Sequence, residues 1–118
     1  MRYMLLIYGE EGLLDAEKRD ACYEESAGLA RDLATEGVYL DASPLRLVST
    51  ATSVRVRDGK RLVTDGPFAE TRKQLGGYYI VDTENLDDAI AVAARIPGAR
   101  WGTVEVRPIL EISGLPEE

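Results

Sequence analysis

The residues of this chain best suited to chemistry are carboxylates and guanidinium groups set beside stiff backbone. Asp65 precedes Gly66-Pro67, so its carboxylate can stand on a rigid turn at a cleft and act as a general base or bind a ligand's donors. It can equally accept hydrogen bonds from nearby backbone N–H groups and fix the turn. Glu105 and Arg107 alternate with Val104 and Val106, which puts both charges on one side of a strand and the apolar groups on the other. Unpaired charges are costly to bury, so Glu105 and Arg107 are expected either to pair, with each other or across an interface, or to line a wet pocket. Glu70 and Arg72 can face a polar ligand or form an exposed ion pair with each other. The phenols of Tyr8, Tyr78 and Tyr79 can donate to a ligand oxygen, or fill core and interface with their hydroxyls satisfied at the edge.

On the catalytic reading, Asp65 and Glu105, with Glu70, serve as acids or bases, Arg107 anchors an anion, and Tyr8, Arg72 and Tyr79 contact the ligand. A carboxylate working at neutral pH needs burial or a second carboxylate to raise its pKa. The chain has no histidine and one cysteine, which excludes a Cys-His or zinc centre; no metal or cofactor is expected. Cys22 reads as a small buried hydrophobe, and Gly76-Gly77 lacks the Lys-Ser/Thr ending of a phosphate loop.

Fourteen Lys and Arg against twenty-one Asp and Glu leave a net charge of −7. The charges look scattered along the sequence rather than gathered into one basic face, so direct nucleic-acid binding is not expected. The apolar stretch at residues 3–8 is too short for a signal peptide and no stretch could span a bilayer. With the lone cysteine, these features point to a soluble domain in a reducing, cytoplasmic setting.

These side chains need elements to hold them. Residues 3–8 are apolar without a break and read as a central strand covered on both faces. Leu14 to Glu36 has helical spacing, with Cys22, Ser26, Leu29, Ala30 and Leu33 on one stripe, and Gly37 supplies the stop. One irregular strand is expected within residues 38–50. Residues 51–57 and 60–64 flank Asp58-Gly59 and predict a tight hairpin. Gly76 to Asp82 reads as a strand with Tyr78 and Ile80 on one face and Gly77, Tyr79 and Val81 on the other. Asn85 caps a second helix whose expected buried stripe is Leu86, Ala89, Ile90, Ala93 and Ile96. Pro97-Gly98 ends it, Thr103 to Arg107 forms the last strand, and residues 109–118 make a surface tail.

A chain of 118 residues supports one domain. The order matches a β-α-β-β-α-β plan with an inserted hairpin, an α+β two-layer sandwich of ferredoxin-like type. Two helices cover one sheet face, yet the strands carry apolar groups on both. The bare face is therefore expected to pack against a second copy in a homodimer.

The run Asp65-Gly66-Pro67-Phe68-Ala69-Glu70-Thr71-Arg72, with Leu75-Gly76-Gly77-Tyr78-Tyr79 after it, resembles the signature of the DGPF group within the YCII-related family. Residues 1–9, 51–59 and 104–108 extend the resemblance over most of the domain. It implies a ferredoxin-like fold paired into a dimeric α+β barrel with a cleft between sheet and loops. It also implies an association with extracytoplasmic-function sigma factors. The residues and the resemblance together leave two functional expectations. One is a polar pocket for a small molecule with carboxylate acid/base chemistry of lyase or isomerase type. The other is a ligand-sensing or regulatory module without catalysis. The His-Asp pair of some relatives does not carry over, because this chain has no histidine.

Overall fold

The computed structural model describes residues 1–69 and 71–116. Its elements run β1 (Arg2–Gly9), α1 (Ala16–Thr35), β2 (Tyr39–Pro44), β3 (Thr52–Arg57), β4 (Lys60–Asp65), β5 (Gln74–Asp82), α2 (Leu86–Arg95) and β6 (Thr103–Pro108). Four strands form one sheet in the order β2-β5-β1-β6, with every neighbouring pair antiparallel. The fold is α+β and compatible with the ferredoxin-like plan. The inserted hairpin, β3 with β4, is a separate two-stranded sheet.

Strand alternation sorts the sheet into two faces. Tyr3 and Leu5 of β1 and Tyr79 and Val81 of β5 are buried beneath the helices, where they meet Leu29 and Leu33 of α1 and Ala89, Val92 and Ala93 of α2. Val104 and Val106 of β6 pack against the same cluster. The other face aligns Leu6 with Tyr78 and Glu105, and Met4 with Ile80 and Arg107. Among the described residues no helix lies over that side, and Met4, Leu6, Tyr78 and Ile80 remain half-buried there.

Both helices start where side-chain oxygens replace missing backbone partners. Asp15 caps α1 by accepting the Lys18 N–H at 2.8 Å, and Asn85 caps α2 by accepting the Asp88 N–H at 2.9 Å. Gly37, at φ +81°, takes the left-handed conformation that ends α1. The buried stripe of α2 differs from the sequence expectation. Ala89, Val92 and Ala93, followed by Ile96, face inward, whereas Leu86 and Ile90 are exposed. The i, i+4 row through Leu86 and Ile90 lies beside the docked face, and small alanines let α2 approach the sheet closely instead.

The hairpin turns at Asp58 and Gly59, both with positive φ, as a two-residue turn with the right twist requires. It projects from the body. The radius of gyration is 16.1 Å, against about 13 Å for a compact domain of this length. None of the helices in the described residues is long and apolar enough to cross a membrane.

Candidate functional site

Helix α1 buries only Leu29 and Leu33, so its C-terminal half grips the sheet while its N-terminal half leaves space beneath it. A cavity of about 400 Å³ lies there, walled by Cys22, Ser26 and Ala30 of the helix and by Tyr39, Gly77 and Tyr79 of the sheet. A smaller one, about 170 Å³, adjoins it around Tyr8, Glu10, Gln74 and Trp101. The two share Ile7, Cys22, Tyr23, Gly76 and Gly98 as walls and make two chambers of one cleft. Its lining is mostly apolar. Gly98 allows the turn after α2 to lie against Ile7, since a Cβ there would come 2.6 Å from Ile7 Cγ2.

Polar groups are few and placed at the ends. Deep in the larger chamber the Tyr79 hydroxyl donates to the Ser26 carbonyl at 2.7 Å, and burial pushes the phenol's pKa up. At the mouth, Glu10 and Glu11 fasten the chain on both sides of the hairpin insertion. The Glu10 carboxylate pairs with Arg72 Nε at 2.6 Å, and Glu11 accepts the Val48 N–H at 2.9 Å. Lys73 Nζ reaches Thr103 Oγ1 at 3.4 Å, tying the same loop to β6. Arg72 and Lys73, just before β5, therefore stand at the cleft's rim. Behind the rim, Arg100 makes a bidentate pair with Glu25 of α1 at 2.7 and 2.9 Å, which holds the Glu25 carboxyl below the usual carboxylate range.

The sequence candidates divide between this cleft and places away from it. Tyr8 lines the smaller chamber and Tyr79 the larger. Arg72 stands at the rim, paired with Glu10 rather than with Glu70; Glu70 lies outside the described residues. Asp65 is exposed at the end of β4 and lines neither chamber. Among the described residues, its turn is held by other groups. The Gly66 N–H donates to the Ala51 carbonyl at 2.7 Å and the Ser53 hydroxyl to the Gly66 carbonyl at 2.7 Å. Gly66 itself sits at φ +97°. Glu105 and Arg107 are exposed on the uncovered sheet face, opposite Leu6 and Met4. They form no ion pair among the described residues, and with Asp65 they do not converge on a cavity within one protomer.

Sequence reasoning missed the polar residues of the mouth, Glu10, Glu11 and Gln74, and the wall residue Trp101. It also took Cys22 for core, where it is half-buried and lines both chambers. The helical stripe carried that signal, since Cys22 and Ser26 lie on it N-terminal to the leucines that dock.

Residues 1–113 match the YCII-related domain family, and the chain belongs to it. It is similar to the uncharacterized protein R00369 of Rhizobium meliloti (strain 1021), with 37% identity over an alignment of 118 positions and 92% of each chain covered.

Proposed function

We propose that this protein is a homodimeric small-molecule-binding domain of the DGPF group. Its ligand would enter the cleft between α1 and the sheet and present an apolar or aromatic body inward with a polar end at the rim. One observation carries the reading: Arg72 of the signature loop is paired with Glu10 at the rim of the cleft. A concave, largely apolar site with few placed polar groups is the usual form of a small-molecule site. Binding is favoured over acid/base catalysis because Asp65 and Glu105 stand outside both chambers of the protomer. A regulatory role, in which the loaded dimer docks on a sigma factor in the cytoplasm, extends the same reading. The uncovered sheet face, with half-buried Met4, Leu6, Tyr78 and Ile80, supports pairing of two sheets into an α+β barrel.

Trp101 is the chain's one tryptophan and lines the smaller chamber, so its emission is a direct probe. Titration with 4-hydroxybenzoate and related phenols and carboxylates is expected to change it saturably. Cys22→Phe, which fills the cleft, is expected to abolish the response. No saturable change with any of these probes would defeat the proposal. Turnover of a bound probe that Asp65→Asn removes, with binding retained, would restore the catalytic reading, and Arg107→Ala would report on its anion anchor.

A further inference from the structure

The hairpin is an amphipathic ribbon. Its register pairs Val54 with Val63 and Val56 with Arg61, and in the alternate rows Arg55 with Leu62 and Arg57 with Lys60. Paired residues share a face, so Val54, Val56 and Val63 line one side together with Arg61, while Arg55, Arg57 and Lys60 line the other together with Leu62. All three valines are exposed, at 59%, 61% and 58%. A lone two-stranded ribbon is marginal in water unless its apolar side is covered, and among the described residues of the protomer nothing covers this one.

Charge identifies what would cover it. Residues 52–64 hold four cations and one carboxylate, a net +3 in a chain of −7, so the remainder carries −10. The structure thus gathers into one projecting arm a basic face that looked scattered in the sequence. Arm and body of this chain attract, whereas two bodies repel. A nucleic acid would satisfy the cations but leave the valines wet.

We infer that the hairpin is an exchanged arm, its valine side laid on the acidic body of a second copy. By two-fold symmetry each protomer would both give and receive one. This rests on the homodimer proposed above and adds a second contact to the sheet-to-sheet one. The arm makes pairing stronger and makes it sensitive to salt.

Sedimentation of the full chain, of V54T/V56T/V63T and of R55E/R57E/K60E tests it. The threonines keep the β-branched shape, so the ribbon is retained, and unchanged circular dichroism would confirm the body in both variants. The full chain is expected to be a dimer at micromolar concentration. Each variant is expected to raise the dissociation constant about tenfold or more. Raising salt from about 50 to about 500 mM should weaken the parent dimer severalfold, and R55E/R57E/K60E, which turns the arm from attracting the acidic body to repelling it, should reverse that dependence. A dimer equally tight in all three chains would overturn the arm and leave the sheet-paired dimer standing. A monomeric full chain would overturn both. Retention of duplex DNA that R55E/R57E/K60E abolishes, with dimerisation unchanged, would overturn the arm in favour of a nucleic-acid contact.

Discussion

Arg100 holds its guanidinium carbon 5.4 Å from the centroid of the Trp101 ring while its terminal nitrogens grip the Glu25 carboxylate. A cation over an indole face contributes about 0.5–1 kcal/mol at exposed positions, and the carboxylate keeps this one in place. The contact joins α1 to the segment leading into β6 across the cleft's wall. Glu25→Gln should release Arg100 from the ring. The expected result is a changed tryptophan emission in the unliganded protein and a severalfold weaker response to 4-hydroxybenzoate, both read by fluorescence.

Acid should loosen the molecule at three separate ties. Arg100 lowers the pKa of Glu25, Arg95 that of Glu36, and the terminal ammonium of Met1 that of Asp82, in each case mainly by hydrogen bonding. A carboxylate with a depressed folded-state pKa contributes stability above its unfolded value and loses it as pH falls through the folded one. Thermal stability is therefore expected to hold at neutral pH and fall as pH drops below the ordinary carboxylate range. All three carboxylates are at the surface, so screening makes each step small. Glu36→Gln should flatten part of that acid dependence in a series of melting curves.

Tyr79→Phe removes the hydroxyl that reaches the Ser26 carbonyl. Losing the bond and leaving a buried acceptor without a partner should cost about 1–3 kcal/mol, visible in denaturant unfolding. Because burial raises its pKa, the Tyr79 phenol should ionise above the ordinary tyrosine range. The parent and Tyr79→Phe should therefore share the earlier part of an alkaline absorbance titration and differ only at its high end.

Gly102 lies against the backbone at the end of β1, and a Cβ there would clash with the Tyr8 carbonyl oxygen. Main chain cannot swing aside as a flexible side chain can. Gly102→Ala should cost about 1–3 kcal/mol, as overpacking does, and should disturb both Tyr8 and Trp101. A drop in melting temperature together with a weaker fluorescence response to ligand is the expected pair of results.

Much of the fold was legible because local signals agreed. Asp58-Gly59 marked the hairpin, Asn85 marked the start of α2, and period-two alternation put Tyr79 and Val81 on the face opposite Tyr78 and Ile80. The α2 stripe was less legible, since Val92 rather than Leu86 or Ile90 points inward, and only the packed sheet decides between neighbouring rows of a helix. The site was harder still. That α1 docks through Leu29 and Leu33 and stands clear at Cys22 and Ser26 is a tertiary fact with no periodic signature. The link from Arg72 to Glu10 spans residues far apart in sequence, and nothing local announces it. The basic ribbon face emerged only from the register that sets Arg57 beside Lys60 and Arg55 beside Leu62.

Strand β1 has no idle side. Ile7 stands in the partition common to both chambers, and its neighbour Leu6 looks out from the opposite surface of the sheet. A guest that shoves Ile7 strains the same short peptide on which a docked twin would rest. Occupancy and association would then be thermodynamically linked, each altering the other by an equal factor, and the chain's appetite for its guest would drift with its own concentration.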